Sequence, residues 1–168
     1  SLKPLMTDYL NNLTNRLKSE GFSGETLVLT SQGGMIEAEE MAAAPIHAIN
    51  SGPSMAPIAG RYYAQLECDE DSLIIADTGG TTYDVSLVRK NRIPKTRETW
   101  IGQSFRGHMT GFPSIDIKSV GAGGGSIAKV DDGGILHVGP GSAGAVPGPV
   151  CYDLGGTEAT LTDACLVL

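Results

Sequence analysis

The 168-residue sequence contains no apolar run approaching the ~18 residues that a bilayer-spanning helix needs. It also opens without a charged-then-apolar leader and small-residue cleavage site, so neither a membrane span nor secretion is expected. Positive charge is scarce: 12 Lys and Arg face 19 Asp and Glu, for a formal net charge of -7, and no basic run appears. Nucleic-acid phosphates are held by clustered Lys and Arg, so nucleic acid is excluded as a partner. A nucleotide remains possible, held through backbone amides and a metal ion. Cysteine is equally sparse. Cys68, Cys151 and Cys165 are far apart, odd in number and free of C-x-x-C or Cys/His spacing. Neither a zinc site nor a disulfide framework is suggested, and a reducing cytoplasm fits best.

Glycine and proline, by contrast, are plentiful. With 23 Gly and 9 Pro in a chain that is 40% hydrophobic and 18% charged, much backbone lies in turns and close approaches, and chemistry is expected on loops. The length suits one domain over residues 1–168, with an N-terminal helix in 1–25 and a motif-bearing region in 26–168. A non-Met start at Ser1 and a helix opening at 162–168 that stops in mid-turn lead us to expect an excised fragment.

Apolar residues at Leu5, Met6, Tyr9, Leu10, Leu13 and Leu17 recur at helical spacing, with Gly21 placed as a C-terminal cap. Residues 26–30 read as a buried strand, a stretch from Met35 to Met41 as a helix ending at Pro45, and 46–50 as another strand. Ser51, Gly52 and Pro53 open a helix running to about Leu66. Residues 72–76 and 85–88 are strands flanking a Gly- and Thr-rich tip. A strand over 115–120 runs into Gly121-Ala122-Gly123-Gly124-Gly125-Ser126. The segments 127–130 and 135–138 flank Asp131-Asp132-Gly133-Gly134, a hairpin signal, and 139–156 reads as an extended loop. No internal repeat is visible.

The most informative stretch is Asp77-Thr78-Gly79-Gly80-Thr81-Thr82-Tyr83-Asp84. Gly79 and Gly80 let backbone amides approach a polyphosphate, Thr81 and Thr82 add hydroxyl donors, and Asp77 at the strand end can hold a divalent cation through water. No Gly-Lys-Ser/Thr follows, so this is not a P-loop. The alternatives are an ordinary Gly-rich hairpin, with Asp77 capping the loop's own amides and Asp84 accepting hydrogen bonds that hold the turn.

A helix-forming segment followed by a strand and an Asp-x-Gly-Gly loop resembles the second phosphate motif of the actin, sugar-kinase and heat-shock chaperone ATPase superfamily. The match narrows with Ser31-Gln32-Gly33-Gly34-Met35, Asn50-Ser51-Gly52-Pro53, the 77–87 segment, Val120-Gly121-Ala122-Gly123-Gly124-Gly125-Ser126, Gly139-Pro140-Gly141-Ser142 and Gly155-Gly156-Thr157-Glu158-Ala159-Thr160-Leu161-Thr162-Asp163-Ala164. In this order they resemble the signatures of the hydantoinase A/oxoprolinase family. Thr78 and Tyr83 stand where the commoner hydantoinase pattern has Met and Thr, which favours a carboxylase-like or divergent branch.

The resemblance implies an α/β fold, a ribonuclease H-like (actin-like ATPase) lobe with a mixed sheet, flanking helices and β-hairpins. It implies ATP and Mg2+, or another divalent cation, as cofactors. Asp77, Gly79, Gly80, Thr81, Thr82 and Asp84 correspond to the second phosphate motif, with Asp77 as catalytic and metal-holding residue. Gly123, Gly124, Gly125 and Ser126 correspond to an adenosine-side motif. Family members activate a cyclic amide or a ketone-derived enolate, as hydantoinases, oxoprolinases and acetone or acetophenone carboxylases. The first phosphate motif is absent from this sequence, so the partners expected are an N-terminal lobe of the same chain and a hydantoinase B-type subunit, and the isolated chain is expected to be inactive. A non-catalytic nucleotide-binding scaffold is the alternative from the same loops.

Overall fold

The computed structural model describes residues 3–102 and 104–168. The chain forms two compact units, each drawn from two stretches of sequence. One takes the residues up to Leu73 together with Leu87–Asp116; the other takes Ile74–Ser86 and Ile117–Leu168.

The first unit opens with helix α1, Lys3–Ser19, as the apolar spacing predicted. Gly21 closes it at φ +90°: its amide donates to the Lys18 carbonyl at 3.1 Å and that of Phe22 to the Leu17 carbonyl at 3.0 Å. This pair of bonds satisfies carbonyls that the helix end leaves open. Strand β1, Leu27–Leu29, pairs antiparallel with β2, Met35–Glu37, and helix α2, Ala38–Ala43, follows at once. Leu10 of α1 meets Ala38, Met41 and Ala42 of α2 in the core, and Met6, Val28, Ile36 and Ala48 pack around them. Met41 is completely buried; burial of such a side chain contributes about 1.5–3 kcal/mol.

Three expectations for this unit need correction. Residues 35–37 are strand and not helix, because Gly33 turns the chain at φ +82° and Thr30 donates to the Gly34 carbonyl at 2.9 Å, bringing Met35 opposite Leu29. The expected strand at 46–50 is a 3-10 turn over Pro45–Ala48, since Pro45 has no amide for a ladder and its fixed φ suits a helical start. The helix expected from Ser51 begins later, as α3, Met55–Glu67. The Ser54 hydroxyl does not cap it but donates to the Asn50 carbonyl at 2.7 Å and to that of Ser31 at 3.2 Å. Pro57 lies in the first turn, where a missing amide costs no helical hydrogen bond.

Strands β3, Leu73–Thr78, and β4, Tyr83–Val88, flank the Gly-rich tip as expected. In the first unit β5, Lys95–Thr96, then β6, Trp100–Ile101, β7, His108–Met109, and β8, Ser114–Ile115, pair as β5 with β8 and β6 with β7. The buried Thr99 and Ser114 hydroxyls bond at 2.5 Å. The strand expected at 115–120 is thus two strands, β8 and β9, Ile117–Val120, separated at Asp116, where the first unit ends.

In the second unit β4 lies between β3 and β9, with Tyr83 opposite Val120 and Ser86 opposite Ile117. Strands β10, Ser126–Val130, and β11, Leu136–Ser142, form the hairpin that Asp-Asp-Gly-Gly announced. The Asp131 carboxylate accepts from the Gly133 and Ile135 amides at 2.9 Å each. Strand β11 runs on through Ser142 into residues expected to be loop, with a register shift between Ser126 and Ala128. Helix α4, Leu161–Val167, ends the chain. Among the described residues the strands form five small sheets of two or three strands instead of one broad sheet. Among the described residues no helix is long and apolar enough to cross a membrane.

Candidate functional site

All ten of the sequence-selected site residues fall in the second unit, and the structure interlocks them in a specific way. The turn joining β3 to β4 closes when the Gly79 amide donates to the Thr82 carbonyl at 2.9 Å. Among the described residues nothing accepts from the amides of Gly80 or Thr81. Asp77 lies exposed near the end of β3, and its carboxylate has no hydrogen-bond or ion-pair partner among the described residues. It therefore does not cap the loop's own amides. Asp84 is half-buried: one oxygen, Oδ2, accepts from the Thr82 hydroxyl at 3.3 Å, and the other, Oδ1, is fully buried with no partner.

The glycines at 123–125 pack directly behind this loop. The Gly124 amide donates to the Gly79 carbonyl at 2.9 Å, and that of Gly125 donates to the Gly80 carbonyl at 2.7 Å. Each bond fixes a planar trans peptide, in which carbonyl and amide point opposite ways. Holding the Gly79 carbonyl aims the Gly80 amide away from the glycines, and holding the Gly80 carbonyl does the same for Thr81. A side chain at Gly123 would bring its Cβ to 2.6 Å from the Thr81 nitrogen and 2.7 Å from the Gly79 oxygen, so only glycine fits there. The Gly123 amide donates to the buried Ser126 hydroxyl at 2.8 Å. Gly123, Gly124 and Gly125 thus spend all three amides inside the protein, and the two amides left open belong to the loop.

Helix α4 is tied to the same place. Thr160 and Asp163 form a reciprocal cap: the Thr160 hydroxyl accepts from the Asp163 amide, and the Asp163 carboxylate accepts from the Thr160 amide at 2.8 Å. The Asp163 carboxylate also accepts from the Thr160 hydroxyl at 2.8 Å and from the Cys151 and Val150 amides at 2.7 and 3.3 Å. Partial burial pushes this carboxyl up, but the Cys151 amide, the Thr160 hydroxyl, the Cys151 thiol and the Thr160 amide together outweigh it and hold it far below the ordinary carboxylate range. The neighbouring Asp163 carboxylate in turn holds the Cys151 thiol above its usual value. Asp163 is thus the helix-start residue that its position suggests. Thr162 stands in the sequence as part of the 155–164 signature with no role of its own; only the fold brings it to Gly124.

Known proteins place this arrangement in context. The hydantoinase/oxoprolinase family model matches residues 1–168. Caprolactamase subunit alpha of Pseudomonas jessenii is 41% identical over 99% of this chain and 23% of its own length. The acetophenone carboxylase gamma subunit of Aromatoleum aromaticum is 39% identical over 92% of this chain and 20% of its own. Among solved structures, a chain of nucleotide-free acetone carboxylase, from a study of ATP-dependent acetone carboxylation, superposes with a TM-score of 0.73 at 26% identity, over 95% of this chain and 22% of that one. The sequence spans about a quarter or less of the length of these relatives. The chain belongs to the hydantoinase/oxoprolinase family.

Proposed function

We propose that the 77–84 loop holds the terminal phosphates of ATP with a magnesium ion, and that the chain is the phosphate-binding portion of an ATP-dependent cyclic-amide hydrolase or ketone carboxylase. The observation that carries this reading is Asp84. An unsatisfied buried acceptor costs on the order of 1–3 kcal/mol and more when charged, so a carboxylate with one unpartnered oxygen, next to a loop with two open amides, favours a positive charge beside it. A divalent cation beside the loop neutralises the charge of the Asp84 carboxylate, and phosphate oxygens satisfy the amides.

Asp77 is exposed and free to take a cation-bound water. Among the described residues no three His, Cys, Asp or Glu side chains converge on one point. The ion in this reading therefore draws most of its ligands from phosphate and water, the usual habit of magnesium. Gly80 and Thr81 contribute amides, Thr82 keeps Asp84 oriented, and Gly123, Gly124, Gly125 and Ser126 hold the loop in shape. Bound ATP supplies a phosphoryl group that can turn an amide or enolate oxygen into a leaving group. The protein's own task is positioning and charge neutralisation, which dominate phosphoryl transfer.

The relatives named caprolactamase and acetophenone carboxylase act on different carbonyl compounds at nearly equal identity to this chain. Their common demand is activation of a poorly reactive carbonyl oxygen, and that is the function assigned to this loop. A ribonuclease H-like lobe in a cytoplasmic enzyme, completed by the first phosphate motif elsewhere in the polypeptide and by a hydantoinase B-type subunit, belongs to the same reading. Its test is ATP hydrolysis by the full-length enzyme with caprolactam, 5-oxoproline or acetophenone. Stimulation by one of them supports the reading, and ATP turnover indifferent to all three counts against it.

A further inference from the structure

Gly124 is gripped from both sides. Its amide donates to the Gly79 carbonyl at 2.9 Å. Its carbonyl accepts twice from one residue: the Thr162 amide and the Thr162 hydroxyl each lie 2.8 Å away. That carbonyl shares a planar peptide with the Gly125 amide, which donates to the Gly80 carbonyl at 2.7 Å. Turning the 124–125 peptide turns this last bond, and with it the 80–81 peptide that carries the open Thr81 amide. Two donors on one acceptor fix the direction of the carbonyl better than one does. A glycine-rich segment needs that restraint because its own backbone supplies little. Thr162 is itself set by the first turn of α4, whose cap is Thr160 and Asp163.

We propose that Thr162 is a positioning residue for the phosphate loop, acting through the 124–125 peptide to aim the Thr81 amide while touching no nucleotide itself. The proposal rests on the nucleotide reading of that loop. The Thr162 hydroxyl matters in this account, since its amide bond to Gly124 is a backbone feature that any residue would supply.

The test is calorimetric titration of the full-length enzyme and its Thr162→Val and Thr162→Ser variants with ATP and AMP, each with magnesium. Loss of one hydrogen bond in the relay raises Kd for ATP about tenfold in Thr162→Val. Thr162→Ser, which keeps the hydroxyl, stays within about twofold of wild type, and AMP, which lacks the terminal phosphates, changes less than about twofold in either variant. Thr162→Ala reports the same loss as Thr162→Val if the valine variant does not fold. A merely structural threonine lowers Tm while leaving the ratio of ATP to AMP affinity as it was. Wild-type ATP affinity in Thr162→Val, or failure of Thr162→Ser to restore it, overturns the relay alone. A wild-type enzyme that binds no ATP overturns the nucleotide reading and the relay together.

Discussion

The Gly125 amide donates to the Gly80 carbonyl at 2.7 Å, and through the planarity of the 80–81 peptide this one bond directs the open amide of Thr81. Glycine-rich segments far apart in sequence thereby divide the work: residues 79–81 leave two amides open, and residues 123–125 hold them in direction.

Substitution at the two glycines should separate support from tolerance. The Cβ of Gly123→Ala would meet backbone on two sides, at 2.6 Å from the Thr81 nitrogen and 2.7 Å from the Gly79 oxygen. That of Gly124→Ala would meet chiefly the Thr162 hydroxyl, at 2.9 Å, which can turn aside. We expect Gly123→Ala to weaken ATP binding by the full-length enzyme at least tenfold, and Gly124→Ala by only about threefold, the loss of part of one hydrogen bond. Isothermal titration of both variants checks the order.

Against the upward push of partial burial, the Asp163 carboxyl is depressed from its ordinary value of 3.8 by the Cys151 and Thr160 amides, the Thr160 hydroxyl and the Cys151 thiol. A depressed acid contributes stability above its unfolded pKa and loses it as pH falls through the folded one. The cap on α4 and its hold on Val150 and Cys151 are thus fully present at neutral pH and weaken progressively below about pH 4. Asp163→Asn should lower Tm by several degrees at pH 7, with the gap to wild type narrowing in acid, as read by thermal melts across pH.

The first unit offers two controls on stability. Gly21→Ala places a side chain at φ +90° and should cost about 1 kcal/mol. Met41→Ala empties a fully buried core position and should cost about 2–5 kcal/mol. Denaturant unfolding measures both, and neither change should alter ATP affinity beyond about twofold, since both lie outside the unit that holds the loop.

Much of this was legible in the sequence where a pattern is local. Helical spacing from Leu5 to Leu17 with Gly21 behind it gave α1 and its cap, and Asp131-Asp132-Gly133-Gly134 gave the β10–β11 hairpin. Expectations failed where distant residues overrode local preference. The start of the stretch around Met35 pairs with β1 instead of joining α2, and the helix expected from Ser51 begins only at Met55, where Ser54 bonds back to Ser31, 23 residues away. At the site, the sequence singles out the glycine-rich segments but not the contacts between them. The glycines at 123–125 stand out in the sequence, yet only the fold reveals that the amides of Gly124 and Gly125 are spent on the loop's carbonyls. Likewise, no sequence pattern announces that Asp84 keeps one buried oxygen without a partner.

The most direct measurement is calorimetric titration of the full-length enzyme with ATP and magnesium, wild type against Asp84→Asn. Asparagine preserves the size of the side chain and can still accept from the Thr82 hydroxyl, but it removes the charge that the cation is proposed to neutralise. The account predicts a loss of at least tenfold in affinity with magnesium present and a much smaller loss when magnesium is chelated. Equal affinity of the two proteins with magnesium would contradict it and return the 77–84 loop to the status of a glycine-rich turn.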